Sequence, residues 1–168
     1  SDVLGRDTVA PDPAHMRRDI AGKTVVVTGA GGSIGSELCR QIFEQAPKKL
    51  VLFDHSEYAL YAILHELRQK SATTCTDIDI HAILGSVTDK QRVEQLLQNM
   101  SPDTVFHAAA YKHVPLVEEN MFEGIKNNLF GTLTLSQAAI DAGVKKFVLI
   151  STDKAVRPTN IMGASKRL

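Results

Sequence analysis

The sequence predicts an α/β fold built on a doubly wound parallel sheet, and two observations support this prediction. From Lys23 onward, short and nearly continuous apolar runs alternate with amphipathic stretches of helical spacing. A glycine-rich turn also follows the first of these runs directly. Continuous apolar runs are typical of strands covered on both faces, and right-handed crossovers join such strands into a parallel sheet between two layers of helices.

The predicted elements alternate in a regular order along the chain. Five strands are expected, at residues 24–28, 50–53, 80–84, 104–108 and 147–150. Between them, apolar residues recur at helical spacing, as Leu60, Ile63, Leu64 and Leu67 in one helix and as Val93, Leu96, Leu97 and Met100 in another. Asp89 can cap the helix of the second set, and a further helix should run from about residue 120 to residue 142 and end at Gly143.

Two regions are predicted within the 168 residues. Residues 1–22 contain Pro11 and Pro13 with little apolar periodicity, so we expect an extended arm or linker. Residues 23–168 form the sheet domain, which we expect to be incomplete after its fifth strand. After a loop at Pro158, a helix begins near residue 162 and stops at Leu168 in its second turn. A doubly wound domain normally adds at least a sixth strand, and a substrate must also be covered by a further part of the chain.

Composition and charge exclude several classes of function. Lys plus Arg equals Asp plus Glu at 19 each, so the net charge is zero and bulk binding to nucleic acid or an anionic membrane is not expected. Cys39 and Cys75 lack the spacing of a metal or redox pair, and Cys39 falls on the apolar side of a predicted helix. A buried free thiol fits a cytosolic compartment. No metal site is expected, because no ligand constellation forms around His15, His55, His65 and His81.

The glycine-rich turn carries the strongest functional signal. It reads Thr28-Gly29-Ala30-Gly31-Gly32-Ser33-Ile34-Gly35 and lies between the first strand and the first helix of the sheet domain. Gly29 permits a tight turn, Gly32 lets the backbone approach phosphates, and Gly35 lets helix and strand pack closely. The free amides at the helix start would bind a pyrophosphate. The segment therefore predicts a Rossmann-type dinucleotide site, with a merely structural turn as the alternative.

Asp54 ends the second predicted strand, 25 residues after Gly29. Dinucleotide-binding folds place an acidic residue at about this distance to bind the adenosine ribose. A carboxylate there favours NAD, because it would repel the 2′-phosphate of NADP. The alternative is that Asp54 only caps the helix that begins near Ser56.

Four further segments carry a resemblance to a known family. They are His107-Ala108-Ala109-Ala110-Tyr111-Lys112-His113-Val114-Pro115, Asn128-Leu129-Phe130-Gly131-Thr132, Ser151-Thr152-Asp153-Lys154 and Met162-Gly163-Ala164-Ser165-Lys166-Arg167. With the glycine spacing, which matches the extended short-chain dehydrogenase/reductase superfamily, they closely resemble the bacterial polysaccharide-biosynthesis family of UDP-N-acetylglucosamine 4,6-dehydratases. The resemblance covers about residues 23–168.

The resemblance implies an NAD-dependent hydro-lyase that converts a UDP-sugar to a UDP-4-keto-6-deoxy sugar for capsule, O-antigen or protein glycans. The Leu4-Gly5-Arg6 arm looks like the junction from the membrane helices and further domain that precede the catalytic domain in long members. This implies a place on the cytoplasmic side of the bacterial inner membrane, with membrane contact only through that preceding region, and a homo-oligomer. The region that binds the sugar is expected to lie beyond Leu168.

The resemblance also implies roles in the proton chemistry. Asp153 would be the acid for the C6 hydroxyl and Lys154 the base for the C5 proton, while Thr152 would hydrogen-bond O4. Lys166 would hold the nicotinamide ribose. Met162 replaces the usual superfamily Tyr, as in the long members, and a thioether cannot transfer a proton, so a water relayed through Thr152 is expected to act instead. The alternatives are an exposed ion pair for Asp153 and Lys154 and a solvated Lys166.

The resemblance assigns further residues to the cofactor, namely Ser86, Val87, Ala108, Ala109, Ala110, Lys112 and Asn128. Ser86 stands where relatives often have an Asp that contacts adenine, so it offers at most one hydrogen bond there. Lys112 and His113 lie on the ligand side of the sheet, with either a binding or a structural role. Asn128 would bridge the ends of the fourth and fifth strands. His107 is predicted to be a structural strand-end histidine rather than a base.

Two other functions remain open from the sequence. One is a nucleotide-sugar 4-epimerase or reductase on the same scaffold, and the other is a non-catalytic NAD-binding module. Asp153, Lys154 and Met162 favour the dehydratase, because an epimerase needs neither an elimination acid nor a C5 base and usually uses the Tyr.

Overall fold

The computed structural model describes the backbone of residues 13–108, 118–150 and 158–160 and the side chains of residues 16–108 and 129–150. The helices are α1 (Pro13–Ile20), α2 (Ser33–Glu44), α3 (Glu57–Thr74), α4 (Lys90–Met100) and α5 (Glu118–Asp141). The strands are β1 (Thr24–Thr28), β2 (Lys49–Asp54), β3 (Asp79–Leu84), β4 (Thr104–Ala108), β5 (Lys146–Ile150) and β6 (Pro158–Asn160). Within these residues, no helix has both the length and the apolar character that crossing a membrane requires.

The strands form one sheet in the order β3-β2-β1-β4-β5-β6. The first five are parallel to one another, which confirms the predicted Rossmann-type sheet. The chain passes from β1 through β2 to β3 and then crosses back over β1 to reach β4. The direction of winding therefore reverses between β1 and β4, and ligands of such folds bind at the carboxyl ends of the strands at this point.

Helices cover both faces of the sheet, as the continuous apolar runs predicted. In β1, Val25 and Val27 belong to the cluster beneath α2 and α3, while Val26 between them belongs to the cluster beneath α4 and α5. All three are fully buried. Cys39 on α2 is also fully buried, and burial raises the pKa of its thiol far above the usual range. The predicted buried thiol is confirmed.

Two predicted helix ends are confirmed. The Asp89 side chain accepts a hydrogen bond from the Arg92 amide at 3.1 Å and caps α4. Gly143 adopts a positive φ of 76°, and its amide donates to the Ile140 carbonyl directly after α5. Such a left-handed residue ends a helix at little cost when it is glycine.

The prediction of an extended arm over residues 1–22 is wrong for Pro13–Ile20, which form α1. Ile20 is fully buried, and Met16 packs against the core. The end of this helix is also tethered, because the Thr104 hydroxyl donates to the Asp19 carbonyl at 2.7 Å. Eight residues, about two turns, are too few for a clear apolar period to appear in the sequence, so the tertiary contacts decide this helix.

The loop predicted at Pro158 contains a short strand. Pro158–Asn160 form β6, which pairs antiparallel with β5 and extends the sheet by one strand. Proline is tolerated at the first residue of an edge strand, where its missing amide removes no interior ladder bond. Three residues are too few for period-2 patterning to reveal, and the pairing itself defines the strand.

Candidate functional site

The candidate site lies at the carboxyl ends of β1 and β4. Thr28 and His107 are paired in register as neighbours in the sheet, and the glycine-rich turn and Ala108 follow them. The turn leads into α2, which covers one face, while α5 covers the other. A doubly wound sheet binds its ligand in the crevice between the two segments that follow these strands.

Gly29 and Gly35 hold the turn closely against its surroundings. Gly29 has a positive φ of 69°, and a Cβ on it would lie 2.4 Å from the Ala108 carbonyl oxygen. A Cβ on Gly35 would lie 1.8 Å from the Gly29 carbonyl oxygen, well inside contact distance. The tight turn and the close helix packing that the sequence predicted for these two glycines are therefore present.

Gly31 and Gly32 differ in what surrounds them. A Cβ on Gly31 would lie 2.6 Å from the Cβ and 2.8 Å from the carbonyl carbon of Ala59, so Gly31 lets α3 pack against the turn. Gly32 is the N-cap of α2 and has no side chain with which to cap the first amides. Among the described residues, a Cβ on Gly32 would meet only the Gly29 carbonyl oxygen, at an ordinary 3.5 Å, so that part of the structure leaves the space in front of Gly32 open. Ser33 is exposed, and Ile34 packs partly against the core.

Asp54 joins the end of β2 to the glycine turn. Its Oδ2 accepts a hydrogen bond from the Gly31 amide at 2.7 Å, and its Oδ1 accepts one from the Ser56 amide at 2.9 Å. The carboxylate is almost completely buried. The N-cap of α3 is Ser56, whose hydroxyl accepts from the Ala59 amide, so capping is not the role of Asp54. Each carboxylate oxygen can still accept another hydrogen bond, as from a ribose hydroxyl.

The loop after β3 runs beside Asp54. The Gly85 amide donates to the Asp54 carbonyl at 2.9 Å, which joins this loop to the end of β2. The Ser86 hydroxyl accepts from the Thr88 amide at 3.1 Å, so part of its capacity is used within the loop. Val87 packs against the α4 and α5 cluster. Contact of Ser86 and Val87 with an adenine remains a prediction.

His107 is buried between three elements. Its Nδ1 lies 2.6 Å from the Thr28 hydroxyl on β1, and its Nε2 lies 3.0 Å from the Thr132 hydroxyl on α5. Only 3% of its surface is exposed, and burial lowers the pKa of the imidazole to about 4. A neutral ring with both nitrogens engaged by protein hydroxyls agrees with the predicted structural role.

This buried histidine predicts a pH dependence of stability. The pKa falls from 6.5 to about 4 on folding, so the unfolded chain binds more protons between these values. The contribution of neutral His107 to the free energy of unfolding is therefore complete above pH 6.5 and is lost as the pH falls toward 4. Between pH 7.5 and pH 5 we expect the unfolding free energy to drop by about 2 kcal/mol more in the wild type than in His107→Gln. Urea titrations across this range measure it, and parallel curves for the two proteins would contradict it.

Comparison with known proteins assigns the chain to a family. The sequence profile of the family described as polysaccharide biosynthesis protein matches residues 25–168. This chain belongs to that family. The resemblance drawn from the sequence motifs is confirmed.

Relatives of this polysaccharide biosynthesis chain include both dehydratases and epimerases. It is 47% identical to the capsular polysaccharide biosynthesis protein CapD of Staphylococcus aureus, with 99% of this chain and 27% of CapD covered. It is 34% identical to the UDP-N-acetylglucosamine 4,6-dehydratase (inverting) of Campylobacter jejuni, with 86% and 41% covered. It is 32% identical to the UDP-glucose 4-epimerase of Rickettsia canadensis, with 87% and 41% covered. The chain thus spans 27 to 41% of these relatives.

Solved structures share the fold of this polysaccharide biosynthesis chain. Pen from Bacillus thuringiensis is 35% identical with a TM-score of 0.67, and the match covers 88% of this chain and 43% of Pen. WbmH from Bordetella bronchiseptica, solved in complex with NAD⁺, is 25% identical with a TM-score of 0.55, and the match covers 74% of this chain and 38% of WbmH.

Several predicted site residues of the family lie outside the described residues. They are Ala109, Ala110, Lys112, Thr152, Asp153, Lys154, Met162 and Lys166. Asn128 lies in α5, but its side chain is not described. Among the described residues, no group of three or more His, Cys, Asp or Glu is placed to hold a metal. The structure therefore brings together the glycine turn, Asp54 and Ala108, while the residues assigned to proton transfer stay predictions.

Sequence reasoning missed both contacts that Gly31 makes in the site. The motif explained Gly29, Gly32 and Gly35 but gave no reason for Gly31. The structure supplies it, because Gly31 both packs against Ala59 and donates to Asp54. A signal existed in the small residue Ala59 at the start of α3, but only the packing of α3 against the turn shows which residue it faces.

Proposed function

We propose that this chain binds NAD as part of a nucleotide-sugar 4,6-dehydratase. The observation that carries the proposal is the open start of α2 at Gly32, beside the Asp54 carboxylate that the Gly31 amide holds in place. A dinucleotide needs a cradle for its pyrophosphate and a polar partner for its adenosine ribose, and these two features supply them side by side, joined by the hydrogen bond from Gly31 to Asp54.

The cradle suits a pyrophosphate in shape and in charge. As far as the described residues extend, the space in front of Gly32 is open where a Cβ would point, so backbone and phosphate can come close. Within the described residues, the Gly32 N-cap offers no side-chain hydrogen bond to the first amides of the twelve-residue α2, and these amides with the positive end of the helix dipole favour an anion. Asp54 would accept hydrogen bonds from the adenosine ribose, and WbmH, of the same fold, was solved with NAD⁺.

The proposed reaction uses residues of the matched region. NAD held by the glycine turn and Asp54 would supply the hydride chemistry between C4 and C6 of the sugar, and the O4 proton would pass through Thr152 to water. Lys154 would remove the C5 proton and later return a proton to C5, and Asp153 would protonate the C6 hydroxyl so that it departs as water. Thr152 would hydrogen-bond O4, and Lys166 would hold the nicotinamide ribose and place a positive charge near the developing alkoxide. The similarity to the Campylobacter jejuni dehydratase supports this assignment.

A 4-epimerase is the second candidate, because the Rickettsia canadensis epimerase is nearly as similar over the same span. Epimerisation needs a hydride acceptor and a group for the O4 proton, but no acid for C6 and no base for C5. Asp153 and Lys154 supply the additional groups, and Met162 replaces the Tyr that usually handles the O4 proton. These three residues favour dehydration.

The cofactor part is tested by titration calorimetry with NAD⁺ and NADP⁺. We expect NAD⁺ to bind at least about tenfold more tightly, because the 2′-phosphate of NADP⁺ would meet the Asp54 carboxylate. The Asp54→Asn variant removes the charge and keeps one oxygen for the Gly31 amide, while its NH2 group faces the Ser56 amide. It should reduce the preference for NAD⁺ over NADP⁺. Equal or tighter binding of NADP⁺ by the wild type would contradict the proposal.

The reaction is tested in a protein of the relatives' full length. Incubation with UDP-N-acetylglucosamine and NAD⁺, followed by mass spectrometry, separates the two candidates directly. Dehydration lowers the mass of the nucleotide sugar by one water, whereas epimerisation leaves the mass unchanged. We expect the product that has lost water, and an epimer of unchanged mass would favour the second candidate.

A further inference from the structure

A buried hydrogen-bonded bridge connects the candidate site to the far side of the sheet. It consists of Thr28 on β1, His107 on β4 and Thr132 on α5, and we name it the threonine–histidine bridge. Thr28 is fully buried and His107 is 3% exposed. The imidazole reaches both hydroxyls at hydrogen-bonding distance, so a single side chain ties two parallel strands to the helix that covers one face.

The bridge adjoins the two walls of the crevice. Thr28 directly precedes Gly29, and His107 directly precedes Ala108. A Cβ on Gly29 would lie 2.4 Å from the Ala108 carbonyl oxygen, so these two residues are in close backbone contact. A change in the position of His107 would therefore move the turn that begins the cradle and the end of β4 together.

The chemistry of the imidazole makes the bridge directional. A neutral imidazole has one N–H donor and one acceptor nitrogen, so one threonine hydroxyl must donate to the ring while the other accepts from it. Burial favours this neutral form and disfavours the imidazolium, which would have two donors. Loss of either hydroxyl leaves a buried ring nitrogen without its partner, and the imidazole then also holds the other hydroxyl less firmly.

We propose that His107 is a positioning residue of the cofactor site and that Thr132, on α5, supports cofactor binding through it. The inference rests on the proposed binding of NAD. Among the described residues, two hydrogen bonds connect Thr132 through the imidazole to Thr28, the residue before the glycine turn. A contribution of Thr132 to NAD⁺ affinity would therefore be carried by the bridge.

The test compares three substitutions of threonine by valine, each of which removes one hydroxyl at nearly constant volume. Thr132→Val and Thr28→Val each break one bond of the bridge. Thr104→Val is the matched control, because Thr104 is also buried on β4, and its hydroxyl donates to Asp19 at the opposite end of that strand. We expect Thr132→Val to weaken NAD⁺ binding about three- to tenfold, as one hydrogen bond contributes, and Thr104→Val to leave it unchanged.

Two further measurements separate positioning from general loss of stability. Thr132→Ser retains the hydroxyl and should restore wild-type affinity. Thr28→Val and Thr132→Val act on the same imidazole. The loss of NAD⁺ affinity in the double variant should therefore be smaller than the sum of the losses in the two single variants. The proposal would be overturned if the Thr132→Val variant bound NAD⁺ as tightly as the Thr104→Val variant at equal thermal stability.

A readout without cofactor keeps this inference separate from the proposed function. Amide hydrogen exchange at Gly29 and Gly31 should be faster in Thr132→Val than in Thr104→Val, because the turn loses its support. If the wild type failed to bind NAD⁺, the proposed function would be wrong, and the exchange rates would still decide whether the bridge positions the turn. Equal exchange in the two variants would refute the positioning role.

Discussion

Gly35→Ala is expected to cost more stability than any other single methyl group added to the glycine turn. The new Cβ would lie 1.8 Å from the Gly29 carbonyl oxygen and 2.7 Å from the Gly29 carbonyl carbon. Both atoms belong to the backbone of a turn that is itself in contact with Ala108, so neither can move cheaply. We expect the unfolding free energy to fall by more than about 3 kcal/mol, a large part of the 5–15 kcal/mol typical of whole domains.

Urea unfolding with two control glycines tests this expectation. Gly22 has a positive φ of 68°, and no described heavy atom within 4 Å would meet its Cβ, so Gly22→Ala should cost only about 1 kcal/mol of backbone strain. Gly32→Ala should cost at most about 1 kcal/mol, because Gly32 is the N-cap of α2, where alanine is less favourable than glycine. It should also weaken NAD⁺ binding, because its methyl group would occupy space that the described residues leave open. A Gly35→Ala protein as stable as Gly22→Ala would show that the turn can shift, contrary to this account.

The largest effect on activity is expected at Asp153 and Lys154. In a protein of the relatives' full length, Asp153→Asn and Lys154→Ala should each slow dehydration by about 10²–10⁴-fold, the usual cost of losing a general acid or base. The binding of NAD⁺ should remain nearly intact, since the glycine turn and Asp54 carry that binding in the proposal. Product formation followed by mass spectrometry gives the rates, and calorimetry gives the affinity.

Isotope exchange distinguishes the two roles, and Met162 provides the control. In deuterated solvent, Lys154→Ala should block exchange of the C5 proton, while Asp153→Asn should still allow exchange although water loss is blocked. Met162→Ala should cost much less than either change, because a thioether transfers no proton. Near-normal turnover by Asp153→Asn, or a Met162→Ala variant as damaged as the other two, would show that the roles are assigned wrongly.

The sequence alone determined the layered fold and the place of the site. Nearly continuous apolar runs specified β1, β2, β4 and β5 as buried strands, and apolar residues at helical spacing specified the helices, because burial requires those patterns wherever the chain meets the core. In the apolar run of the edge strand β3, only Ile80 is buried. The glycine turn was equally visible, since the positive φ of Gly29 and the overlap of a Gly35 Cβ with the Gly29 carbonyl oxygen are both local requirements. Motif resemblance then indicated the family, which the matched profile confirmed.

The tertiary structure decided the features that depend on partners distant in sequence. The helix α1 and the strand β6 are defined by their contacts, as at Ile20 and along β5. The bond from Gly31 to Asp54 spans 23 residues, and the bond from Thr28 to His107 spans 79. Local patterns report which face of an element is buried, but they do not report which side chain lies opposite. The role of Gly31 and the threonine–histidine bridge therefore emerged only when β1, β2, β4 and α5 were brought together.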